Sequence, residues 1–320
     1  MTTRLILDTD IGTDVDDCLA LALILGSPEL TLAGVTCVYG DVALRARMVR
    51  QLLALHGTRG VPVLQGASDT LLGLRPIYWE GHEGQGLLEG AAHTPLKDNE
   101  DEDEDAVAFI VRTARAGSGA IHLLAIGPLT NVALALKREP RLVHDLAGVT
   151  IMGGVVRGPG SLDLPYVEHN IRCDPEAAQI VFASGLPITL VPLDVTTRVR
   201  IDREGVARIA AAGTPFHAAV ADQVARYPRF GRLGYTYLHD PLAAALVARP
   251  DLATYTAAHL DLELGGRHTA GATLLRAPSD DAPANVRVAL DVDVAAAEEF
   301  VIARIANLTA GGAAQGTLAD

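Results

Sequence analysis

Five aspartates, Asp8, Asp10, Asp14, Asp16 and Asp17, crowd the ten positions from Asp8 to Asp17. They stand directly after the apolar run Leu5-Ile6-Leu7 and directly before the apolar stretch Cys18 to Leu25. Two unit charges about 5 Å apart repel by roughly 3 kcal/mol at an effective dielectric near 20. Several such pairs cannot stay ionised together without raised pKa values, helix N-terminal amides or a bound cation. A hard divalent cation is the most direct remedy. No Cys or His stands among the five, so the ligand set suits Ca²⁺ or Mg²⁺ over zinc or copper. The plainer reading is capping, for which Asp14, just before the helix, is the best candidate.

The same strand, loop and helix pattern repeats along the chain. Leu32 to Tyr39 reads as a second strand and Ala43 to His56 as a second helix. Strands follow at Ile121 to Ile126, Val149 to Met152 and Ile188 to Leu193, with a helix opening near Thr130-Asn131. Val286 to Asp293 reads as a late strand and Val294 to Asn307 as a closing helix. This alternation predicts an α/β fold with a mainly parallel, Rossmann-like central sheet and helices on both faces. In such sheets ligands gather at the carboxyl ends of the strands, where the polar clusters of this sequence fall.

No linker or internal repeat divides the chain, so one domain is expected over residues 1–308. The Gly- and Ala-rich residues 309–320 are expected to form a disordered tail. Lys97 to Asp105 holds seven acidic residues in nine positions and reads as a solvated loop feeding a helix at Ala106. Acidic residues outnumber basic ones 39 to 26, which argues against nucleic acid or an anionic membrane as partner. No apolar run reaches the roughly 18 residues of a membrane span, and Thr2 to Leu7 lead straight into the acidic loop without a secretory leader. The three cysteines, Cys18, Cys37 and Cys173, lack metal-type spacing and suit a reducing, cytoplasmic setting.

The acidic loop resembles the signature of the inosine-uridine-preferring nucleoside hydrolases, Asp-x-Asp-Pro-Gly-x-Asp-Asp followed by a helix. Ile11 replaces the proline, and two extra residues precede the Asp16-Asp17 pair. Gly40-Asp41 is similar to the Gly-Asn of that family, and Gly81-His82-Glu83-Gly84 to its His-Gly loop. Further resemblances follow in order: Ile126-Gly127-Pro128-Leu129-Thr130-Asn131, Met152-Gly153-Gly154, Glu168-His169-Asn170, Asp174-Pro175-Glu176-Ala177 and His239-Asp240-Pro241.

That resemblance implies an enzyme that uses water to split the ribosyl C–N bond of nucleosides, with Ca²⁺ as cofactor. It assigns the metal to Asp10, Asp17, the main-chain oxygen of Ile126 and Asp240, and makes Asp10 the general base toward a calcium-bound water. Asp16, Asp41, Glu168 and Asn170 would hold the ribose hydroxyls. Asp41 keeps an acceptor but lacks the amide donor of the usual Asn, and the family's Asn upstream of Glu168 has no counterpart in Ser161-Leu162-Asp163-Leu164. His239 is the candidate for protonating the departing base, against a structural role beside Asp240. His82, Tyr235 and Tyr237 either line the base pocket or simply pack, and His169 is expected to be a bystander. Homodimers or homotetramers are the family habit. The loops Tyr78 to Leu88 and Arg226 to Leu238 resemble the family least, so no base preference follows.

Two rival readings use the same residues. A catalytically silent nucleoside- or sugar-binding protein would keep the scaffold but would not need a water-activating aspartate. A haloacid-dehalogenase-like phosphatase would use Asp8 and Asp10 as nucleophile and acid, but Gly12 stands where that chemistry wants Thr or Val, and the later motifs do not fit.

Overall fold

The computed structural model describes residues 2–89, 104–156 and 163–309. Most of the acidic stretch at 97–105, Ser161-Leu162 and the tail at 310–320 fall outside the described residues.

Strand β1, Thr3–Thr9, is buried on both faces along its centre, which is why Leu5-Ile6-Leu7 is a continuous apolar run rather than an alternating one. Leu5 and Leu7 point into one core and Ile6 into the other. The remaining strands are β2 (Leu30–Cys37), β3 (Val63–Gln65), β4 (Ile121–Ala125), β5 (Leu146–Met152), β6 (Ile188–Val191), β7 (Arg200–Asp202), β8 (Tyr235–Tyr237), β9 (Ala253–Leu262), β10 (Thr273–Arg276) and β11 (Val286–Val292). Nine of them form one sheet in the order β10-β9-β11-β6-β5-β4-β1-β2-β3, and β7 pairs with β8 apart from it. Strands β3 to β11 in that order run parallel, and β9 is antiparallel to both β11 and β10.

The run β3-β2-β1-β4-β5-β6 is the doubly wound order, and its direction of winding reverses between β1 and β4. The helices follow suit. Asp16–Leu25 and Val42–His56 cover one face, while Ala106–Gly117, Thr130–Arg138 and Pro175–Phe182 cover the other. A crevice therefore opens where the chain leaves β1 and β4, and both the acidic loop and Ile126 lie there.

Three departures from the sequence expectation lie beside the crevice. Strand β2 stops at Cys37, because Tyr39 and Gly40 both turn through the left-handed region, at φ +68° and +74°. Strand β6 stops at Val191, and Leu193 opens a helical turn, Leu193–Thr196. Asp14 is not the helix cap: Val15 holds that position with no side-chain bond, while Asp14 accepts from the Val15 amide at 2.6 Å and from the Tyr227 hydroxyl at 2.9 Å.

Candidate active site

Two helices that are apolar around most of their circumference, Asp16–Leu25 and His239–Ala248, are buried and packed against one another. Each begins with aspartate in its first turn, and their amino ends converge. The Asp240 amide donates to Asp16 Oδ2 at 3.2 Å. Carboxylate oxygens of Asp16, Asp17 and Asp240 lie within 4.8 Å of one another, and all three residues are buried. Burial pushes each of them well above the ordinary carboxylate range, and the neighbouring aspartates push the same way.

Among the described residues none of the three forms an ion pair with Arg, Lys or His. Helix amino ends supply only about half a positive charge each. The Thr9 hydroxyl donates to Asp17, a single neutral donor. Three crowded carboxylates with so few donors fit a hard divalent cation with oxygen ligands.

Beside this cluster is a cavity of about 440 Å³. Asp10, Asp16, Asp17 and Asp240 all line it. Burial raises Asp10 as well, while the Arg45 guanidinium acts against the rise. Gly127 is what lets Asp10 sit against the end of β4, since a Cβ there would lie 2.8 Å from Asp10 Oδ1. Ile126, Glu168 and Asn170 line the cavity as well. Asn170 Nδ2 donates to the Ile126 carbonyl at 2.8 Å and orients it. Glu168 caps the helix His169–Cys173, accepting from the amides of Asn170 at 2.8 Å and Ile171 at 3.1 Å, and also from Gly154 at 3.1 Å. His239 lines the cavity too, with Nδ1 2.7 Å from the Thr196 hydroxyl. Burial pushes its pKa down to about 4, so the ring is neutral near pH 7.

Four expected residues are not brought to this cavity. Asp41 is exposed and caps the helix Val42–His56, accepting from Leu44 N at 2.8 Å. His82 lines a neighbouring cavity of about 200 Å³ and contacts the Thr13 carbonyl at 3.1 Å. Tyr235 and Tyr237 sit in the β7–β8 pair beneath cations, with Arg200 4.5 Å from the Tyr235 ring and Arg229 4.3 Å from the Tyr237 ring. His169, expected as a bystander, does line the cavity.

Sequence reasoning passed over Tyr227, which lines both cavities, and Arg45, which is buried behind the acidic loop. A signal for Arg45 was present. It shares one helical face with Met48, Val49, Leu52, Leu53 and His56, at the spacing of a buried stripe. Asp8, the nucleophile of the phosphatase reading, is wholly buried behind the site and bonds Thr36 at 2.5 Å and Asn131 at 2.8 Å, outside the cavity lining.

Residues 5–299 match the family described as inosine-uridine preferring nucleoside hydrolase. Uridine nucleosidase 1 of Arabidopsis thaliana is 31% identical over 94% of this chain and 93% of its own. The pyrimidine-specific ribonucleoside hydrolase RihA of Enterobacter sp. (strain 638) is 37% identical over 86% of this chain and 88% of its own. Among solved structures, the plant nucleoside hydrolase PpNRh1 superposes with a TM-score of 0.82 at 27% identity, covering 96% of this chain and 100% of that one. A purine-preferring ribonucleoside hydrolase from Gardnerella vaginalis superposes at 0.79 and 28% identity, covering 96% and 99%. A carboxylate-lined crevice at the winding reversal, a family match over nearly the whole chain and the likeness to these named nucleoside hydrolases lead to one conclusion: this chain is an enzyme of the inosine-uridine preferring nucleoside hydrolase family.

Proposed function

We propose that residues 1–308 act as a single domain that hydrolyses the N-glycosidic bond of ribonucleosides to ribose and free nucleobase. The observation that carries this reading is the buried Asp16–Asp17–Asp240 cluster, without a cationic side-chain partner among the described residues, lining a cavity of about 440 Å³. Asp10, Asp17, Asp240 and the Ile126 carbonyl would hold Ca²⁺, with Asp16 beside them. Asp10 is near enough to raise both Asp17 and Asp240 by repulsion, which supports its place in that set. Bound there, the cation would anchor ribose hydroxyls and acidify a water.

The chain's own groups do the rest. Asp10 takes the proton from the attacking water as general base. The ring of carboxylates favours the positive charge that develops on the sugar in an oxocarbenium-like transition state. Asp16, Glu168 and Asn170 hold the ribose hydroxyls; Glu168 is already fixed by three main-chain amides, so it offers a preset acceptor rather than a mobile one. The Thr196 hydroxyl lies 2.7 Å from Nδ1; in the tautomer that accepts there, neutral His239 carries its proton on Nε2 and presents an N–H to the departing base. The three cysteines, all buried and unpaired, support a reducing compartment such as the cytoplasm, and we propose a homodimer or homotetramer there.

The test is reducing-sugar release from a panel of purine and pyrimidine ribonucleosides, with and without a chelator. Relatives are named for uridine, pyrimidine and purine substrates, so both base classes belong in the panel. Release that disappears with chelator and returns with Ca²⁺ is the expected result. Tight nucleoside binding without release would favour a silent binding protein instead.

A further inference from the structure

Arg45 is fully buried, yet among the described residues it forms no ion pair with a carboxylate side chain. Burying a guanidinium is costly unless its donors are well placed. Here each of its three nitrogens reaches an oxygen of the acidic loop or of the turn after β2. Nε donates to the Tyr39 carbonyl at 2.6 Å, one terminal nitrogen to the carbonyls of Asp10 and Ile11, and the other to the Thr13 hydroxyl at 3.2 Å. Cζ of the same guanidinium lies over the Trp79 ring, 5.1 Å from its centre.

Trp79 belongs to a segment that covers the site. Its neighbours Tyr78 and Glu80 line the main cavity, while Trp79 does not. The Tyr78 amide donates to the Tyr39 hydroxyl at 2.8 Å, and His82 Nε2 lies 3.1 Å from the Thr13 carbonyl. Gly40, in the left-handed region, makes room for the indole: a Cβ there would lie 3.1 Å from the ring. One buried cation thus touches the carbonyl of Asp10, the turn after β2 and the cover.

We propose that Arg45 is a positioning residue that joins the cover segment Tyr78 to Glu83 to the acidic loop. The affinity of the carboxylate cluster for a divalent cation then depends on Trp79, a residue outside the cavity lining. This rests on the cation-site reading above. By linkage the dependence is reciprocal, so cation binding must also be felt at Trp79.

Trp79 is the only tryptophan of the chain, so its emission reports on this joint without labelling. Ca²⁺ is titrated into metal-free protein, with no substrate, by calorimetry and by tryptophan emission in parallel. Wild type is expected to give a saturable emission change with the calorimetric midpoint. Arg45→Lys keeps the charge but loses the fork, and is expected to bind Ca²⁺ about tenfold or more weakly, as losses behind metal ligands do. Trp79→Leu removes only the cation–π face and is expected to bind about two- to fivefold more weakly, with unchanged far-UV circular dichroism. A contact that merely stabilises the fold would lower the melting temperature of Trp79→Leu and leave the affinity of the folded protein alone.

Wild-type affinity in either variant, or flat emission while calorimetry shows binding, overturns the proposal. Should Arg45→Lys fail to fold, Trp79→Leu and the wild-type emission decide. If wild type gives no binding heat, the cation reading itself fails, and this inference fails with it.

Discussion

Two groups of buried carboxylates share this sheet end, and they are built in opposite ways. Asp174 is surrounded by donors: Leu71 N at 2.6 Å, the Thr130 hydroxyl at 2.7 Å and Ala177 N at 3.1 Å. It caps the helix Pro175–Phe182 and ties that helix to two other segments. Asp16, Asp17 and Asp240 are just as buried, but Asp16 accepts from one amide, Asp17 from one hydroxyl, and the Asp240 carboxylate from no donor among the described residues. A buried charge that serves the fold is matched with donors when the chain folds. A cluster left short of donors keeps its lone pairs for something that arrives later. Burial alone does not separate the two groups; the donor count does.

The largest expected effect tests the function side of this contrast. Asp10→Asn removes the proposed general base and is expected to lower kcat by about 10²- to 10⁴-fold. Its fold should stay intact, with far-UV circular dichroism matching wild type. Turnover within a few-fold of wild type, measured by reducing-sugar release, would refute the base assignment.

Asp8 sits between the two groups. One of its oxygens takes donors from Thr36 and Asn131, while Oδ2 is buried without a partner. Burial raises its pKa to about 7, from 3.8. Between those values the folded protein holds a proton that the unfolded chain has released, so stability is lost as pH rises from about 4 to about 7. The shift corresponds to about 4 kcal/mol at most. Asp8→Asn mimics the neutral acid and escapes this loss. In metal-free buffer its stability should gain on wild type steadily from pH 4 to 7, then run parallel to it above. His122, which burial pushes down to about 4, titrates in the same window with the opposite sign, but it is common to both proteins and cancels. A stability gap between the two proteins that does not change with pH, measured by urea unfolding, would show that Asp8 is ionised throughout.

The same chemical change made in each group should move stability in opposite directions. Asp174→Asn puts an amide donor where main-chain donors already point, and is expected to cost about 1–3 kcal/mol. Asp240→Asn relieves repulsion in the cluster and is expected to stabilise the metal-free protein by roughly 1–2 kcal/mol. The gain should vanish or reverse in saturating Ca²⁺, because the variant loses a ligand. Destabilisation by Asp240→Asn without metal would mean that its carboxylate has donors after all, and the contrast would collapse.

Much of this was legible in the residues. A buried parallel strand is a continuous apolar run, so Leu5-Ile6-Leu7 announced β1, and the charge that follows it announced a site. The strand order was not legible, since pairing β1 with β4 joins segments more than a hundred residues apart that carry no local signal. The meeting of Asp16 with Asp240 is of the same kind: it depends on two buried helices packing side by side. Only the family resemblance placed Asp240 in the set beforehand. Tyr235 and Tyr237 stayed open between pocket and packing because an aromatic side chain suits a base pocket and an arginine stack equally well, and most of the arginines beside them lie elsewhere in the sequence. Arg45 was overlooked although its helical face was readable, because charge on an apolar stripe is easily assigned to solvent.

The smallest expected effect concerns Asp41, where the resemblance and the geometry part ways. The resemblance made it a ribose ligand; the structure makes it an exposed helix cap, bonded to Leu44 N at 2.8 Å and outside the cavity lining. A cap of this kind contributes about 1 kcal/mol. Asp41→Ala should therefore cost that much stability and leave kcat and KM unchanged. Asp41→Asn and Asp41→Ser should recover the stability, since both side chains cap well. A ribose ligand would behave otherwise: KM would rise in the Ala variant by tenfold or so, for about 1.4 kcal/mol of lost binding, while the melting temperature hardly moved. Steady-state kinetics beside a melting curve thus separates a donor-matched acid that serves the helix from one held for the sugar, on a residue where the two accounts demand different numbers.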